Sequence, residues 1–243
     1  MSLIDEVRGL AIISMVAYHF VYDMVMIFRR DWPWFFEKNT AIWQAATAIT
    51  FIAIAGVCTQ YSGRPFLRAL KICGCALLIT AATYFVYPDQ LIMFGILHFL
   101  GVSMLIYAVF RRLLVKVNPW PGFIVSIILM AVTWNISKGI IGIGAMTVNI
   151  PDSVFNNYWL FPLVYIPSFI SADYFPLFPY FFIFMAGSYL GYGFKRLTEI
   201  FSKEHIKPLC LIGRHSLIIY MTHQLIIFGA LTLVFRFLDM FFA

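Results

Sequence analysis

The sequence predicts an all-α fold, a polytopic transmembrane helix bundle with about seven or eight spans. Of its 243 residues, 62% are hydrophobic and only 12% are charged, and the mean hydropathy is +0.88. A soluble domain carries about 25% charged residues, so this chain has too few of them to cover a surface that faces water. Runs of about 20 apolar residues, the length that crosses a bilayer, recur along the chain. The composition therefore excludes a soluble globular protein.

Seven apolar runs have the length of a spanning helix. They cover residues 7–28, 41–61, 66–86, 91–110, 120–137, 176–194 and 211–235. The irregular segment near 138–175 contains repeated Gly and Pro, which interrupt helices, yet it is too apolar for a free loop. We expect it to cap the outer face or to re-enter the bundle, with an eighth, short helix as an alternative. No internal repeat or linker divides the chain, so we expect one transmembrane domain over residues 1–243.

The basic residues concentrate in alternate loops. Most of them fall near residues 64–71, 111–116 and 195–207. Because cytoplasmic loops carry an excess of Lys and Arg, we expect a multi-pass protein of the cell membrane with a cytoplasmic N-terminus and an outer C-terminus. This topology accounts for the net charge of +6 without nucleic acid, and the expected partner is the lipid bilayer. A homodimer is a further candidate assembly.

The cysteine and histidine spacings do not indicate a metal site. The four cysteines form no C-x-x-C pair, and the histidines form no H-x-x-x-H pair, which are the spacings typical of zinc ligands. The histidines within the spans, His19, His98 and His223, have no carboxylate-rich cluster beside them in the sequence. We therefore expect small packed cysteines and no bound metal.

A histidine and a carboxylate share one face of the first helix. His19 and Asp23 are four residues apart and so are neighbours on the helix surface, and Arg8 falls close to the same face. Ionisable groups within a bilayer are costly and normally have a partner. We expect Asp23 to accept a hydrogen bond from one ring nitrogen of His19, which leaves the other as a base. The alternative is a structural polar pair that joins two helices.

Two further histidines lie within predicted spans. His98 sits between Gly95 and Gly101, which allow another backbone or a ligand to approach closely. His223 lies near the middle of the last span. Each is a candidate site residue, and the alternative for each is a hydrogen bond within the bundle.

Four segments, in chain order, resemble the heparan-alpha-glucosaminide N-acetyltransferase catalytic-domain family. Residues 4–12 read IDEVRGLAI and are followed by YHF at 18–20, residues 94–101 read FGILHFLG, residues 171–180 read SADYFPLFPY, and residues 211–220 read LIGRHSLIIY before His223 and Gln224. Together they span nearly the whole chain, which looks like a short member of the family. In one departure, the segment after helix one, where the animal enzyme has its catalytic histidine, reads WFFE at 34–37.

The resemblance implies a membrane-embedded acyltransferase. It would move an acetyl or other acyl group from cytosolic acetyl-CoA to a hydroxyl or amine of a sugar-like acceptor on the far side of the membrane. In this reading His19 is the base and is oriented by Asp23, while His98 or His223 donates a hydrogen bond to the oxyanion. The residues expected to hold acyl-CoA are Arg8, Arg214, His215 and Ser216, and those expected to meet the acceptor are Asp173 and Tyr22.

Two other functions are compatible with the same residues. Buried His, Asp and Arg are also found in proton-coupled small-molecule transporters and exporters, although this chain lacks an inverted repeat. A non-catalytic membrane partner is the third interpretation, and it leaves the buried ionisable groups without a purpose. Acyl-CoA bound in the bundle would favour the enzyme.

Overall fold

The fold is dominated by long apolar helices. A computed structural model describes residues 2–194 and 205–242. Within these ranges, six helices are long and apolar enough to cross a membrane, and the only sheet has two antiparallel strands. The predicted all-α membrane bundle is therefore confirmed.

The bounds of the elements are as follows. The helices are α1 (Ser2–Tyr22), α2 (Lys38–Thr59), α3 (Pro65–Val86), α4 (Ile96–Leu114), α5 (Pro119–Thr133), α6 (Asp152–Phe155), α7 (Tyr180–Gly193), α8 (Lys207–Arg214) and α9 (Ser216–Phe242), and the strands are β1 (Ile140–Ile143) and β2 (Met146–Asn149). The last turn of the first span is a π-helix, Asp23–Ile27. Helices α3 and α5 each begin with a proline at the first turn, where its missing N–H is tolerated.

Two predicted spans differ from the observed helices. The run at 176–194 forms α7, whose 14 residues extend about 21 Å, less than the hydrocarbon thickness of about 30 Å. The run at 211–235 is divided at His215, whose backbone (φ −98°, ψ 13°) leaves the helical region between α8 and α9. The hairpin and α6 occupy part of the irregular segment, and α6 has only four residues, too few to span. Part of the predicted basic loop, residues 195–204, lies outside the described residues.

The chain divides into two compact units, one comprising Met1–Phe51 with Leu197–Ala243 and the other Ile52–Arg196. In the first unit, α1 packs against α8 and α9. The contact between α1 and α8 is close because glycine lies on both helices. A side chain at Gly9 would clash with the Leu209 carbonyl, and one at Gly213 would clash with the Asp5 carbonyl.

A carboxylate from α1 caps the start of α8. Glu6 is 7% exposed, and its Oε1 accepts hydrogen bonds from the backbone N–H groups of His205 and Ile206 at 2.6 and 2.9 Å. Its Oε2 lies 3.5 Å from Nδ1 of His205. The first N–H groups of a helix have no partner within the helix, and the N-terminus attracts negative charge. Glu6 thereby joins α8 to α1.

The second unit packs its helices through small residues. Gly101 of α4 lies against Cys73 of α3, and Gly122 of α5 lies against the ring of Tyr189 of α7. Small residues at such contacts let helix backbones approach closely, which favours association within a membrane.

The irregular segment is fastened to the chain that precedes α4. The N–H of Ala172 donates to the Leu91 carbonyl at 3.0 Å, and the N–H of Phe175 donates to the Phe94 carbonyl at 3.0 Å. Residues 91–94 are non-helical where these bonds hold them, so α4 begins at Ile96 and not at residue 91.

Tyr174 joins the end of the irregular segment to residues 161–166, which precede it in the same segment. Its hydroxyl lies 2.9 Å from the carbonyls of Phe161 and Val164, and it accepts from the N–H of Ile166 at 3.1 Å. Burial raises the pKa of the Tyr174 hydroxyl, because it disfavours the charged phenolate. The hydroxyl therefore keeps the proton that it donates.

We expect Gly213→Ala to destabilise the protein by about 1–3 kcal/mol, the typical cost of overpacking, because its methyl group meets the Asp5 carbonyl. The control is Gly229→Ala in α9 of the same unit, where an added Cβ has no atom within 4 Å. Alanine should be neutral or slightly stabilising there, because it has the higher helix propensity. Thermal unfolding of both variants in detergent measures the difference. Equal melting temperatures would contradict the close contact between α1 and α8.

Candidate active site

In the first unit, two histidines from α1 and α9 are in ring contact. The ring centroids of His19 and His223 are 4.8 Å apart with an interplanar angle of 80°. His19 Nδ1 lies 2.9 Å from the Met15 carbonyl oxygen, and His223 Nδ1 lies 2.7 Å from the Tyr220 carbonyl oxygen. A carbonyl can only accept, so Nδ1 must carry the hydrogen in both rings. Each neutral ring then has its basic lone pair on Nε2.

Asp23 is fully buried, with 0% exposure, and has a different partner from the one expected. Its Oδ1 accepts a hydrogen bond of 2.6 Å from Nε2 of Gln224, and its Oδ2 has no hydrogen-bond partner. The predicted hydrogen bond between His19 and Asp23 is therefore wrong, because the Met15 carbonyl occupies Nδ1 of His19 and orients the ring. Asp23 remains a neighbour of His19, one helical turn along the same span.

Three buried acceptor atoms in this unit lack a hydrogen-bond partner. They are Oδ2 of Asp23, Nε2 of His223 and Oε1 of Gln224, and across the described residues only Ser103 Oγ, in the other unit, joins them. Buried polar atoms nearly always have a partner, and exceptions require an explanation, among which is a catalytic role. The π-helix that begins at Asp23 is a second such sign, because π-turns are frequent at functional sites.

Aromatic side chains line the part of α1 that carries His19. The Tyr18 ring contacts the rings of His19 and Trp43 edge-on, with centroids 5.8 and 5.5 Å apart. Tyr22, expected to meet the acceptor, lies with its ring centroid 6.2 Å from that of Phe35. The predicted site residues do not include Gln224, Tyr18 or Trp43, although Gln224 directly follows His223 in the family segment.

The residues expected to hold acyl-CoA lie at the other end of α1 and at the break between α8 and α9. Asp5 joins two of them, with its Oδ1 3.3 Å from Nη2 of Arg8 and its Oδ2 3.6 Å from Nε of Arg214. Arg8 Nη1 also donates to the Gly213 carbonyl at 3.2 Å. His215 is exposed and its Nδ1 donates to the Leu211 carbonyl, while Ser216 is buried.

Two predicted site residues, His98 and Asp173, belong to the second unit. His98 Nε2 lies 3.1 Å from Oγ1 of Thr80, whose own hydrogen is directed to the Ile92 carbonyl at 2.7 Å. Nε2 of His98 must therefore be the donor, so this nitrogen is not a free base. Asp173 Oδ2 accepts from the N–H of Ile96 at 2.9 Å and so caps α4.

Comparison with known proteins gives one match. The sequence matches the catalytic family of heparan-alpha-glucosaminide N-acetyltransferase over residues 1–225. The chain belongs to this family. It is thereby assigned to a family of membrane acetyltransferases. No curated protein and no solved structure matches the sequence.

The structure explains why the acetyltransferase segments occur as a set. Segments 4–12 and 211–220 contact each other in the first unit, through the glycine contacts and the bonds of Asp5. Segments 94–101 and 171–180 contact each other in the second unit, through the pairing of Phe94 with Tyr174 and the cap that Asp173 provides. Much of each motif therefore stabilises the fold.

No metal site is evident in residues 2–194 and 205–242, where no group of three or more His, Cys, Asp or Glu side chains is arranged to hold an ion.

Substitution of Asp173 separates helix capping from acceptor binding. Asp173→Ala should lower the free energy of unfolding by about 1 kcal/mol, the usual value of an N-cap. Asp173→Asn should keep most of that stability, because an amide oxygen also caps. If Asp173 serves only as a cap, Asp173→Asn should retain wild-type acetyl transfer. Lost activity in a stable Asp173→Asn protein would instead show that its charge meets the acceptor. Thermal unfolding and acetyl-transfer assays of both variants provide the measurement.

Proposed function

We propose that this protein is a membrane-embedded acetyltransferase whose active site is the pair of His19 and His223. It transfers acetyl from acetyl-CoA to a hydroxyl or amine of a sugar-like acceptor. Membership of the family supports the reaction class. The observation that carries the assignment of the site is the set of unpartnered buried acceptors, on Asp23, His223 and Gln224, beside two imidazoles whose basic nitrogens are both Nε2.

The chemistry follows from the tautomers. An acceptor O–H or N–H donates to Nε2 of His19, and its oxygen or nitrogen attacks the thioester carbonyl carbon. As the tetrahedral intermediate collapses, the C–S bond breaks, the acetyl group stays on the acceptor, and the proton held by His19 passes to the departing CoA sulfur. The backbone bond at Nδ1 keeps the ring in the orientation that this transfer needs.

Asp23 and His223 support the charge that forms on His19. A carboxylate one helical turn away favours an imidazolium, because opposite charges nearby stabilise the charged form. Two rings in contact would repel each other if both were imidazolium ions, so the pair takes up one additional proton at a time, beyond the hydrogen that each ring carries on Nδ1. In its neutral form His223 is only an acceptor at Nε2. It can therefore donate to the oxyanion only after the proton has reached it.

The nucleotide end of acetyl-CoA is assigned to the opposite end of α1. His19 follows Arg8 by eleven positions, which is about 16 Å along a helix. The pantetheine arm of CoA is long enough to bridge this separation. Guanidinium groups suit phosphate oxygens through paired hydrogen bonds, and the Arg214 side chain is 51% exposed. Arg8, Arg214, His215 and Ser216 are thus the proposed binding residues.

The basic loops support a direction for the transfer. With the N-terminus in the cytoplasm, acetyl-CoA approaches from the cytosol and the acceptor from the far side of the cell membrane. The aromatic faces of Tyr18, Tyr22 and Trp43 near His19 offer apolar surface to an acceptor ring.

His19→Ala should lower acetyl transfer by about 10²–10⁴-fold, the usual contribution of a positioned base, with little change in melting temperature or in acetyl-CoA affinity. Asp23→Asn should also lower turnover, because the imidazolium loses its neighbouring charge. The measurement is transfer from acetyl-CoA, or its hydrolysis, by purified protein in detergent or nanodiscs.

The matched control is His205→Gln, which removes a histidine that is 58% exposed at its side chain and lies outside the pair. It should retain near-wild-type turnover. Full activity in a folded His19→Ala protein would remove His19 from the mechanism. If the wild-type protein neither binds nor consumes acetyl-CoA, the enzyme proposal fails and a proton-coupled transporter becomes the better account of the buried pair.

Arg8→Ala and Arg214→Ala should each weaken acetyl-CoA binding by about 1.5–3 kcal/mol, the range of hydrogen bonds to charged groups. Since both arginines also pair with Asp5, Asp5→Asn is the control, because it removes the ion pairs and keeps both guanidinium groups. Asp5→Asn should leave affinity unchanged or increase it, while its melting temperature falls. Calorimetry with acetyl-CoA tests this, and unaltered affinity in both arginine variants would place the nucleotide elsewhere.

A further inference from the structure

The β-hairpin of the second unit has one wholly apolar face. Its strands pair in the register Ile141 with Val148 and Ile143 with Met146. Directly paired residues of antiparallel strands lie on the same face, so these four side chains share one side of the hairpin. The opposite face holds Ile140, Gly142, Thr147 and Asn149, of which two are polar.

The apolar face is largely uncovered by the protein. Met146 is 87% exposed, Val148 71% and Ile143 55%. Residues 139–151 contain no charged side chain. Exposed strands are normally protected by charges such as lysine, so a bare apolar hairpin of this kind requires an apolar neighbour.

The position of the hairpin identifies that neighbour as lipid. The fifth candidate span ends at Lys138, and Trp134, at the end of α5, is 44% exposed. Trp and Lys at the end of a span mark the headgroup level. Strand β1 starts two residues after Lys138 and packs against α5, whose exposed face carries Ile124, Val125 and Ile128. The apolar face of the hairpin thus lies beside a helix whose own exposed residues are apolar.

The dimensions agree with this position. Four-residue strands are about 13 Å long, while the headgroup region adds about 5–8 Å to the hydrocarbon on each side. A hairpin that folds back against α5 therefore stays at the depth of the headgroups and the upper acyl chains. The two strands bond each other only along their inner edges, and the outward N–H and C=O groups of a two-stranded hairpin need polar partners. The headgroup region supplies such partners and the hydrocarbon does not, which places the hairpin at the interface.

We propose that the hairpin is an interfacial membrane anchor, with Ile141, Ile143, Met146 and Val148 seated in the lipid where α5 ends. The face with Thr147 and Asn149 points away from the acyl chains. The anchor keeps the irregular segment at the bilayer surface. This role does not depend on the proposed acetyl-transfer activity.

Tryptophan scanning of the hairpin in nanodiscs tests the anchor. Met146→Trp and Thr147→Trp are compared with the parent chain, in phosphatidylcholine with or without brominated acyl chains. Tryptophan is well tolerated on exposed strand positions. The added emission of Met146→Trp should be lost in brominated lipid and resist iodide in the water. The added emission of Thr147→Trp should show the reverse.

Two outcomes would overturn the anchor. Quenching of Met146→Trp by iodide would place that face in water, and protection from both quenchers would mean that protein covers it, as in a pair of copies. Should Met146→Trp be poorly folded, Val148→Trp and Asn149→Trp provide the same comparison one pair further along β2. Acetyl transfer is not part of the readout, so failure of the anchor and failure of the enzymatic proposal are distinguishable.

Discussion

The contact between α1 and α8 depends on two glycines, and the first unit is organised around it. Because Gly9 and Gly213 have no side chains, the two backbones approach closely. Across this contact Asp5 meets Arg214, Arg8 donates to the Gly213 carbonyl, and Glu6 caps α8. Charged groups in a largely apolar chain are costly unless they are paired. The close α1–α8 contact therefore lowers the cost of these charges by pairing them. Because α9 follows α8 after a single residue, His215, the position of α8 against α1 also fixes the position at which α9 begins.

Helix α9 returns along α1 and brings His223 to His19. In both rings the backbone carbonyl of a preceding residue fixes Nδ1–H, so neither needs a carboxylate to select its tautomer. Asp23 is bonded instead to the side chain of Gln224. The same three residues, Asp23, His223 and Gln224, hold the unpartnered acceptors. A polar cluster that is only partly satisfied costs stability in a low-dielectric interior, which is why we regard it as functional and not merely as a clamp between helices.

Family segments often suggest catalytic residues, and here much of their content is structural. Asp173 caps α4, Tyr174 fastens the irregular segment, and Gly213 permits the α1–α8 contact. His98 is tied by its Nε2 to Thr80, which makes it a poorer candidate for the base than its place in a glycine-flanked motif indicates. The contacts of the first unit leave His19 and His223 as the better pair.

The sequence alone determined the class of the protein and most of its spans. Apolar runs of the length of a bilayer specify helices whatever their neighbours, because each run must satisfy its own backbone hydrogen bonds within the membrane. The proximity of His19 to Asp23 and the family resemblance could also be predicted from the sequence, because both depend only on local spacing and on the order of segments along the chain.

Only the tertiary structure decided which groups the site side chains contact and bond. Helical spacing places Asp23 beside His19, but whether the ring donates to that carboxylate or to the Met15 carbonyl depends on rotamers that the opposing helix selects. The contact of His19 with His223 joins residues about 200 positions apart, which no local pattern encodes. The break at His215 and the short length of α7 were likewise not encoded in the local sequence pattern. Apolarity marks a run as buried in lipid or protein, whereas the point at which a helix stops depends on caps and contacts supplied from elsewhere in the fold.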